Sequence, residues 1–161
     1  MADYFDSPSV LLVPGQTVIA DIERIALTRH KVLLSPQALA HIASGHACLL
    51  RHIAAGTTIY GVSTGLGANV DIARQPSTAQ AQQNDVLWAR ASGTGPAATD
   101  AQVRAMVAVR LARLALGRSG ISPAVAMALV DMLNYHITPV VPLVGALSEG
   151  DLAPMAHIAS L

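Results

Sequence analysis

Gly145-Ala146-Leu147-Ser148-Glu149-Gly150-Asp151-Leu152-Ala153-Pro154 is the stretch whose reading decides the rest of the chain. It places a close carboxylate pair, Glu149 and Asp151, just before a segment whose apolar pattern becomes helical. Negative charge near a helix N-terminus suits the macrodipole, so a solvated or capping pair is the plain reading. A buried Glu149 would instead be a general acid or base, because desolvation favours the neutral carboxyl. A second stretch answers this one from mid-chain: Tyr60-Gly61-Val62-Ser63-Thr64-Gly65-Leu66-Gly67. Three glycines among eight residues read as loop, not as helix or strand.

Together the two stretches resemble those of the histidine/phenylalanine/tyrosine ammonia-lyase family, which includes the related aminomutases. That family typically reads Tyr-Gly-x-x-Thr-Gly-Phe-Gly and then Ala-Ser-Gly-Asp-Leu-x-Pro. The resemblance implies a mainly α fold: the helical N-terminal domain of the aromatic amino acid ammonia-lyase type, with a glycine-rich active-site loop. It implies non-oxidative deamination, or an amino shift, on an α-amino acid. It also implies an electrophile, the methylidene-imidazolone MIO, formed when the Ala-Ser-Gly tripeptide cyclises and loses two waters.

Here the family's tripeptide falls on Ser148-Glu149-Gly150. The methylidene carbon comes from a serine that loses its hydroxyl, and Glu149 has none to lose. MIO is therefore expected to be absent, and no other cofactor and no metal are expected. By resemblance the catalytic set is Tyr60, Ser148, Glu149 and Gly150, with Tyr60 taking the substrate's β-proton. A free tyrosine has a pKa near ~10, so it acts as a base only where positive charge or backbone donors hold the phenolate. Gly67, Ala89 and Arg90 are the substrate-binding set. Ala89-Arg90 aligns with Ser-His of histidine lyases and His-Leu of tyrosine lyases, and departs from both. Arg90 reads either as a solvated arginine at a helix C-terminus or as a partner for an anionic substrate group.

Other motifs depend on their context. Gly61-Val62-Ser63-Thr64-Gly65 has the form of a nucleophile elbow, which needs a strand before it and a helix directly after. A helix precedes it here, and Gly67 and Asn69 keep the chain in loop, which argues against a serine hydrolase. Ala91-Ser92-Gly93 is a literal Ala-Ser-Gly but lacks the Asp-Leu-x-Pro that follows the family's tripeptide. His41, His46 and His52 are spaced by five and six residues, not the three or four that stack side chains on a helix face, so they read as surface or capped residues. The run 110–121 also resembles the family, with Ala112 where the family has asparagine. Asn134, before Ile137-Thr138-Pro139, reads as structural.

Composition sets outer bounds. The chain has 161 residues, 52% of them apolar and 12% charged, with 3% aromatics. That supports a sizeable aliphatic core in one domain. So few charges imply apolar surface set against another subunit or a further part of the chain. The resemblance implies a homo-oligomer, a tetramer. Ten basic residues balance ten acidic ones with no basic stripe, so nucleic acid is not an expected partner. No uncharged apolar run is long enough for a membrane span, and Asp3 and Asp6 stand where a secretory signal would be basic. Cys48 is the only cysteine, so no internal disulfide forms. A cytoplasmic location is the expectation.

The expected elements run in order. Leu11-Leu12-Val13 and Val32-Leu33-Leu34 are short apolar runs able to pair as strands. A helix over 17–28 should bury Val18, Ile19, Ile22 and Ile25. Ser35-Pro36 starts a helix ending at Gly56, with Ala38, Ile42, Leu49 and Ile53 on its apolar side and Gly45 as a weak point. Ser77 and Gln80 open a helix to about Arg90, and Thr99 and Gln102 open the next. That next helix should bury Val103, Met106, Val107, Leu111 and Leu114. Ser122-Pro123 starts another, with Val125, Leu129 and Leu133 as core. Pro139 and Pro142 force an extended path. The whole reads as a single N-terminal domain, 1–161, cut inside its last helix. Two functions remain open: an ammonia-lyase or aminomutase with altered chemistry, and a catalytically silent homologue serving as a structural or binding subunit.

Overall fold

The computed structural model describes residues 8–72, 79–145 and 152–160. In chain order the elements are β1 Ser9–Leu12, α1 Ile19–Leu27, β2 Lys31–Leu34, α2 Pro36–Ala54, α3 Ala79–Arg90, β3 Thr94–Ala97, α4 Asp100–Leu114, α5 Pro123–Asn134, β4 Pro142–Val144 and α6 Leu152–Ala159. The fold is mainly α, as the resemblance implied, with short strand pairs. It divides into two compact units, Met1–Cys48 with Ala98–Pro139, and Leu49–Ala97 with Val140–Leu161. Among the described residues no helix is long and apolar enough to cross a membrane.

The first unit holds most of the buried aliphatic side chains. β1 and β2 pair in parallel, Val10 opposite Val32 and Leu12 opposite Leu34, with α1 as the crossover. A parallel pair needs such a crossover, which the short run between the strands supplies. The backbone of Val32 is satisfied from elsewhere: its N–H donates to Asn134 Oδ1 at 2.8 Å, and Asn134 Nδ2 donates to its carbonyl at 3.0 Å. One side-chain amide thus serves as a strand one residue long. The structural role expected of Asn134 is this clip.

The helix starts follow their sequence signals. The Ser35 hydroxyl accepts from Ala38 N–H at 3.1 Å, with Pro36 at the first helical position. The Thr99 hydroxyl accepts from Gln102 N–H while the Gln102 side chain accepts from Thr99 N–H at 2.8 Å. Each cap satisfies a backbone donor that the helix leaves open. Ser122 caps α5 in the same way, accepting from Val125 N–H at 3.3 Å. The cap expected at Ser77 lies outside the described residues. α4 buries Val103, Val107, Leu111 and Leu114, with Met106 half-buried.

Three faces differ from the expectation. Val18 is the residue before α1 and is 58% exposed, and Ile19 is 80% exposed, while Ile25 and Ala26 are buried. Ile19 and Ile22 line an open cavity with Ala101, Gln102 and Ala105 of α4. On α5 the core residues are Ala126, Val130 and Leu133, whereas Val125 is 48% exposed. Residues 124–130 are all apolar, so periodicity alone cannot choose between faces one residue apart. On α2, Ala38 and Ile42 are buried but Ile53 is exposed.

Gly45 has a packing reason. A Cβ there would overlap the Gly117 carbonyl, and a Cβ on Gly117 would overlap the backbone of His41. The missing side chains let α2 and the turn after α4 touch backbone to backbone. The close approach offsets the roughly 1 kcal/mol that an interior glycine costs a helix. His46 pins the same contact by donating from Nδ1 to Gly120 O at 2.9 Å. It is a satisfied histidine, in line with the plain reading.

Arg104 is the buried residue the sequence did not announce. It is 2% exposed, on the core side of α4. Its Nε and Nη2 donate to Ile25 O at 3.0 and 2.8 Å, and its Nη1 donates to Leu133 O at 2.8 Å. Those carbonyls lie in the last turns of α1 and α5, where helices leave acceptors unpaired and favour positive charge. Burial, and then the nearby Arg29 charge, lower the Arg104 pKa, while Asp100 raises it.

In the second unit, α3 packs against α6, and β3 pairs with β4 antiparallel with an irregular register, Thr94 opposite Val144 and Ala97 opposite Pro142. Pro142 opens β4, a place where a missing N–H is tolerated. The extended path expected around Pro142 is thus half of a strand pair that the sequence did not reveal. Gly93 N–H donates to His157 Nε2 at 3.1 Å, tying the start of β3 to α6. The accepting nitrogen carries no hydrogen, so the His157 ring holds its proton on Nδ1.

Candidate active site

The glycine-rich loop is built from its own side chains. Thr64 is buried; its hydroxyl accepts from Gly61 N–H at 3.2 Å and donates to Gly65 O at 3.0 Å. A Cβ at Gly65 would overlap the backbone of Asn69, and Gly65 N–H donates to Ile72 O at 3.0 Å. Gly67 takes φ 58°, which costs a side-chain-bearing residue energy. The Thr-Gly-x-Gly pattern is therefore a description of one folded loop.

Ser63 is consumed by the same loop. Its Oγ accepts from Ile59 N–H at 2.8 Å and lies 3.4 Å from the carbonyls of Ile59 and Thr57. A short 3-10 turn, Gly67–Asn69, follows in place of the helix an elbow requires. The serine-hydrolase alternative has no geometry behind it.

Tyr60 stands at the start of this loop and is 61% exposed. Its hydroxyl oxygen accepts from Gly67 N–H at 2.9 Å. Two residues singled out in the sequence are thus a bonded pair. Ala89 and Arg90, at the end of α3, line a cavity of about 300 Å³. Gly65, Asn69 and Ile72 wall it from the loop, and Asp85 and Val86 from α3. Arg90 is half-buried there and Ala89 is exposed. Tyr60 and Gly67 are not among the lining residues, though Gly65 between them is. Sequence reasoning missed Asp85, whose signal was its place on the helix that ends in Arg90. Ser148, Glu149 and Gly150 lie outside the described residues. Among the described residues no group of three His, Cys, Asp or Glu side chains comes together as a metal site.

The fold has counterparts among solved structures. Ergothionase from Treponema denticola, an ergothioneine-degrading enzyme, superposes with a TM-score of 0.91 at 27% identity, over 93% of this chain and 30% of that one. Tyrosine aminomutase from Streptomyces globisporus gives 0.89 at 30% identity, over 94% and 28%. In sequence, the histidine ammonia-lyase of Vibrio cholerae is 33% identical over 155 residues, 94% of this chain. The profile of the family described as aromatic amino acid lyase matches residues 17–161, and the chain belongs to that family. It spans 30% of the length of the Vibrio cholerae relative.

Proposed function

We propose that this chain supplies part of an active site that eliminates an amine from an amino acid, or shifts it, without MIO. The observation that carries the reading is the Tyr60 hydroxyl held by Gly67 N–H at 2.9 Å on a loop that also walls the charged cavity. A backbone donor aimed at a phenol oxygen is the kind of partner that holds a phenolate. Tyr60 is then the base that removes the β-proton. Arg90 receives an anionic group of the substrate by charge-assisted hydrogen bonds.

The residues at the tripeptide do not fit MIO. Ring closure needs the Gly150 nitrogen to attack the carbonyl of Ser148, and the methylidene then needs water lost from the β-carbon of residue 149. Glu149 has no β-leaving group. The reaction therefore has to proceed from the substrate's own leaving group: the Cβ–H bond breaks, its electron pair becomes the double bond, and the C–N bond breaks. A base able to take a carbon-bound proton takes an ammonium proton first. A fully alkylated nitrogen has none to give, keeps its charge and leaves as a neutral amine. Amino acids with a fully alkylated nitrogen are accordingly the preferred substrates, and primary ones turn over very slowly, each 1.36 kcal/mol of lost transition-state stabilisation costing tenfold.

The replacement of the serine by Glu149 equally favours a second reading, a silent homologue serving as a structural or binding subunit. Under either reading the chain associates in the cytoplasm, as a homotetramer or with a polypeptide that supplies the remainder of the relatives' length. Exposed apolar side chains such as Val18, Ile19 and Leu27 support association. A monodisperse monomer in sedimentation would count against it.

Intact mass spectrometry is the first test. The unmodified sequence mass is expected; a mass short by two waters, mapped to 148–150, would restore conventional lyase chemistry. Amine release from primary and N-trimethylated amino acids is the second test, run on the associated protein. Tyr60→Phe should lower it by about 10²–10⁴-fold, the usual worth of a positioned base. No release from either substrate class leaves the silent subunit as the better reading.

A further inference from the structure

The first unit has a cavity of its own, and none of its lining residues belongs to the site described above. It holds about 260 Å³ between α1 and α4, with Ile19, Ile22 and Leu27 on one side and Ala101 and Ala105 on the other. Ile19 is 80% and Leu27 67% exposed, so its walls are uncovered apolar surface. Its polar neighbours ask nothing of an occupant. The Gln102 side chain already accepts from Thr99 N–H at 2.8 Å, and Glu23 stands exposed to water. A cavity of about 150 Å³ with aliphatic walls takes up benzene, so this groove has room for an aromatic ring.

The chain carries a ring within reach. Tyr4 and Phe5 stand side by side just before Pro8, the first described residue. The Pro8 carbonyl accepts from Lys31 N–H at 3.0 Å, and Lys31 follows Leu27 by four residues. That connection folds back on its helix, since His30 N–H donates to Arg24 O at 3.1 Å. Pro8 is therefore held close to the Leu27 end of the groove. Three residues of extended chain cover roughly 10 Å, enough to carry Phe5 from Pro8 to that end. Neighbouring side chains of an extended segment point to opposite sides, so one of the two rings enters. Phe5 has no polar atom to satisfy among aliphatic walls, whereas a buried tyrosine needs a partner for its hydroxyl. Asp3 and Asp6 flank the pair with charges that stay in water. We propose that Phe5 of this chain's own N-terminal segment docks in the α1–α4 groove and straps the crossover helix to α4. The groove is then covered from within the chain. The association argued above falls to apolar residues outside it, Val18 among them.

Phe5 is the only phenylalanine, so para-fluorophenylalanine labels it alone. The fluorine spectrum of the full 161-residue chain should show one resonance that stays put between light and heavy water, where that of an exposed ring moves. Ala105→Met grows a side chain into the groove and should shift the resonance to its solvent-exposed position, with circular dichroism showing the helices intact. Phe5→Ala should raise amide exchange in α1 on the order of tenfold, the low end of what burying a phenylalanine ring is worth, and leave α3 as it was. An exposed resonance in the unaltered chain, or unchanged exchange in α1 on Phe5→Ala, would overturn the proposal. A resonance that stays buried in a folded Ala105→Met variant would overturn it too, since the ring would then lie elsewhere. So would a buried resonance that appears only as concentration rises, which would make the occupant a second copy's segment.

Discussion

The two units spend their sequence differently. The first buries Leu12, Ile25, Val32, Ile42, Val103, Leu111 and Leu114 together with a whole guanidinium. Among the described residues the only apolar side chains the second buries are Val141, Ala153, Ala156 and Ile158, and it is held by hydrogen bonds between side chains and backbone, at Thr64, Ser63 and His157. Apolar burial is non-directional and sums to large stabilisation, whereas a single hydrogen bond contributes about 0.5–1.5 kcal/mol net but fixes a geometry. One unit is therefore a scaffold and the other a set of positioned groups.

Arg104→Ala is the change most able to break that contrast. It strips Ile25 O of its side-chain donors and leaves Leu133 O with the long His136 N–H bond. A loss of about 1–3 kcal/mol for each buried carbonyl left short of its donor is expected, read as a fall in denaturation midpoint. A midpoint unchanged within error would mean that the first unit is not held at its helix ends. Gly45→Ala comes next, because the new Cβ overlaps the Gly117 carbonyl. Overpacking of about 1–3 kcal/mol is expected, against the gain that alanine brings to an exposed helix.

In the second unit, Thr64→Val keeps shape and removes one hydroxyl. About 1 kcal/mol is expected, confined to the loop. Hydrogen exchange should quicken at Gly61 while protection in α4 stays as it was; a global loss would erase the distinction between the units. The smallest effect is electrostatic. The His136 pKa is lowered by desolvation first, then by Arg104 and Arg29. The unfolded chain therefore takes up this proton more readily than the folded one. The stabilisation is complete above the ordinary histidine value and is lost as pH falls through it toward the lowered one. Melting temperature should drop slightly from pH 8 to 5, with a shallower slope in His136→Gln.

Much of the scaffold was legible because its signals are local. Ser35-Pro36, Thr99 with Gln102, and Ser122-Pro123 each name a helix start through a bond only three residues long. What escaped was set by tertiary partners. Thr94-Gly95-Pro96-Ala97 has none of the β-branched density of a strand and becomes one because β4 lies beside it. Val125 and Ala126 are equally apolar neighbours, and packing alone chose Ala126. Arg104 stands next to Val103 in an ordinary amphipathic pattern, and only the carbonyl ends of α1 and α5 explain its burial. At the site, Tyr60 and Gly67 were legible as loop residues of the ammonia-lyase pattern. Their bond to each other, and the cavity that adds Asp85 to Arg90, needed coordinates.

The Asn134 clip has a consequence in time. Its two bonds to Val32 join residues 102 positions apart, and Arg104 reaches Ile25 across 79. Closing such loops costs entropy before any contact repays it, so distant pairings form after local helices. Helices α1, α2, α4 and α5 can each flicker into being from nearby contacts. β2 gains its outer partner only once α5 has arrived with its last residue in place. Asn134→Ala should therefore leave the folding rate nearly as it is and show itself in faster unfolding, the kinetic mark of a contact made after the barrier.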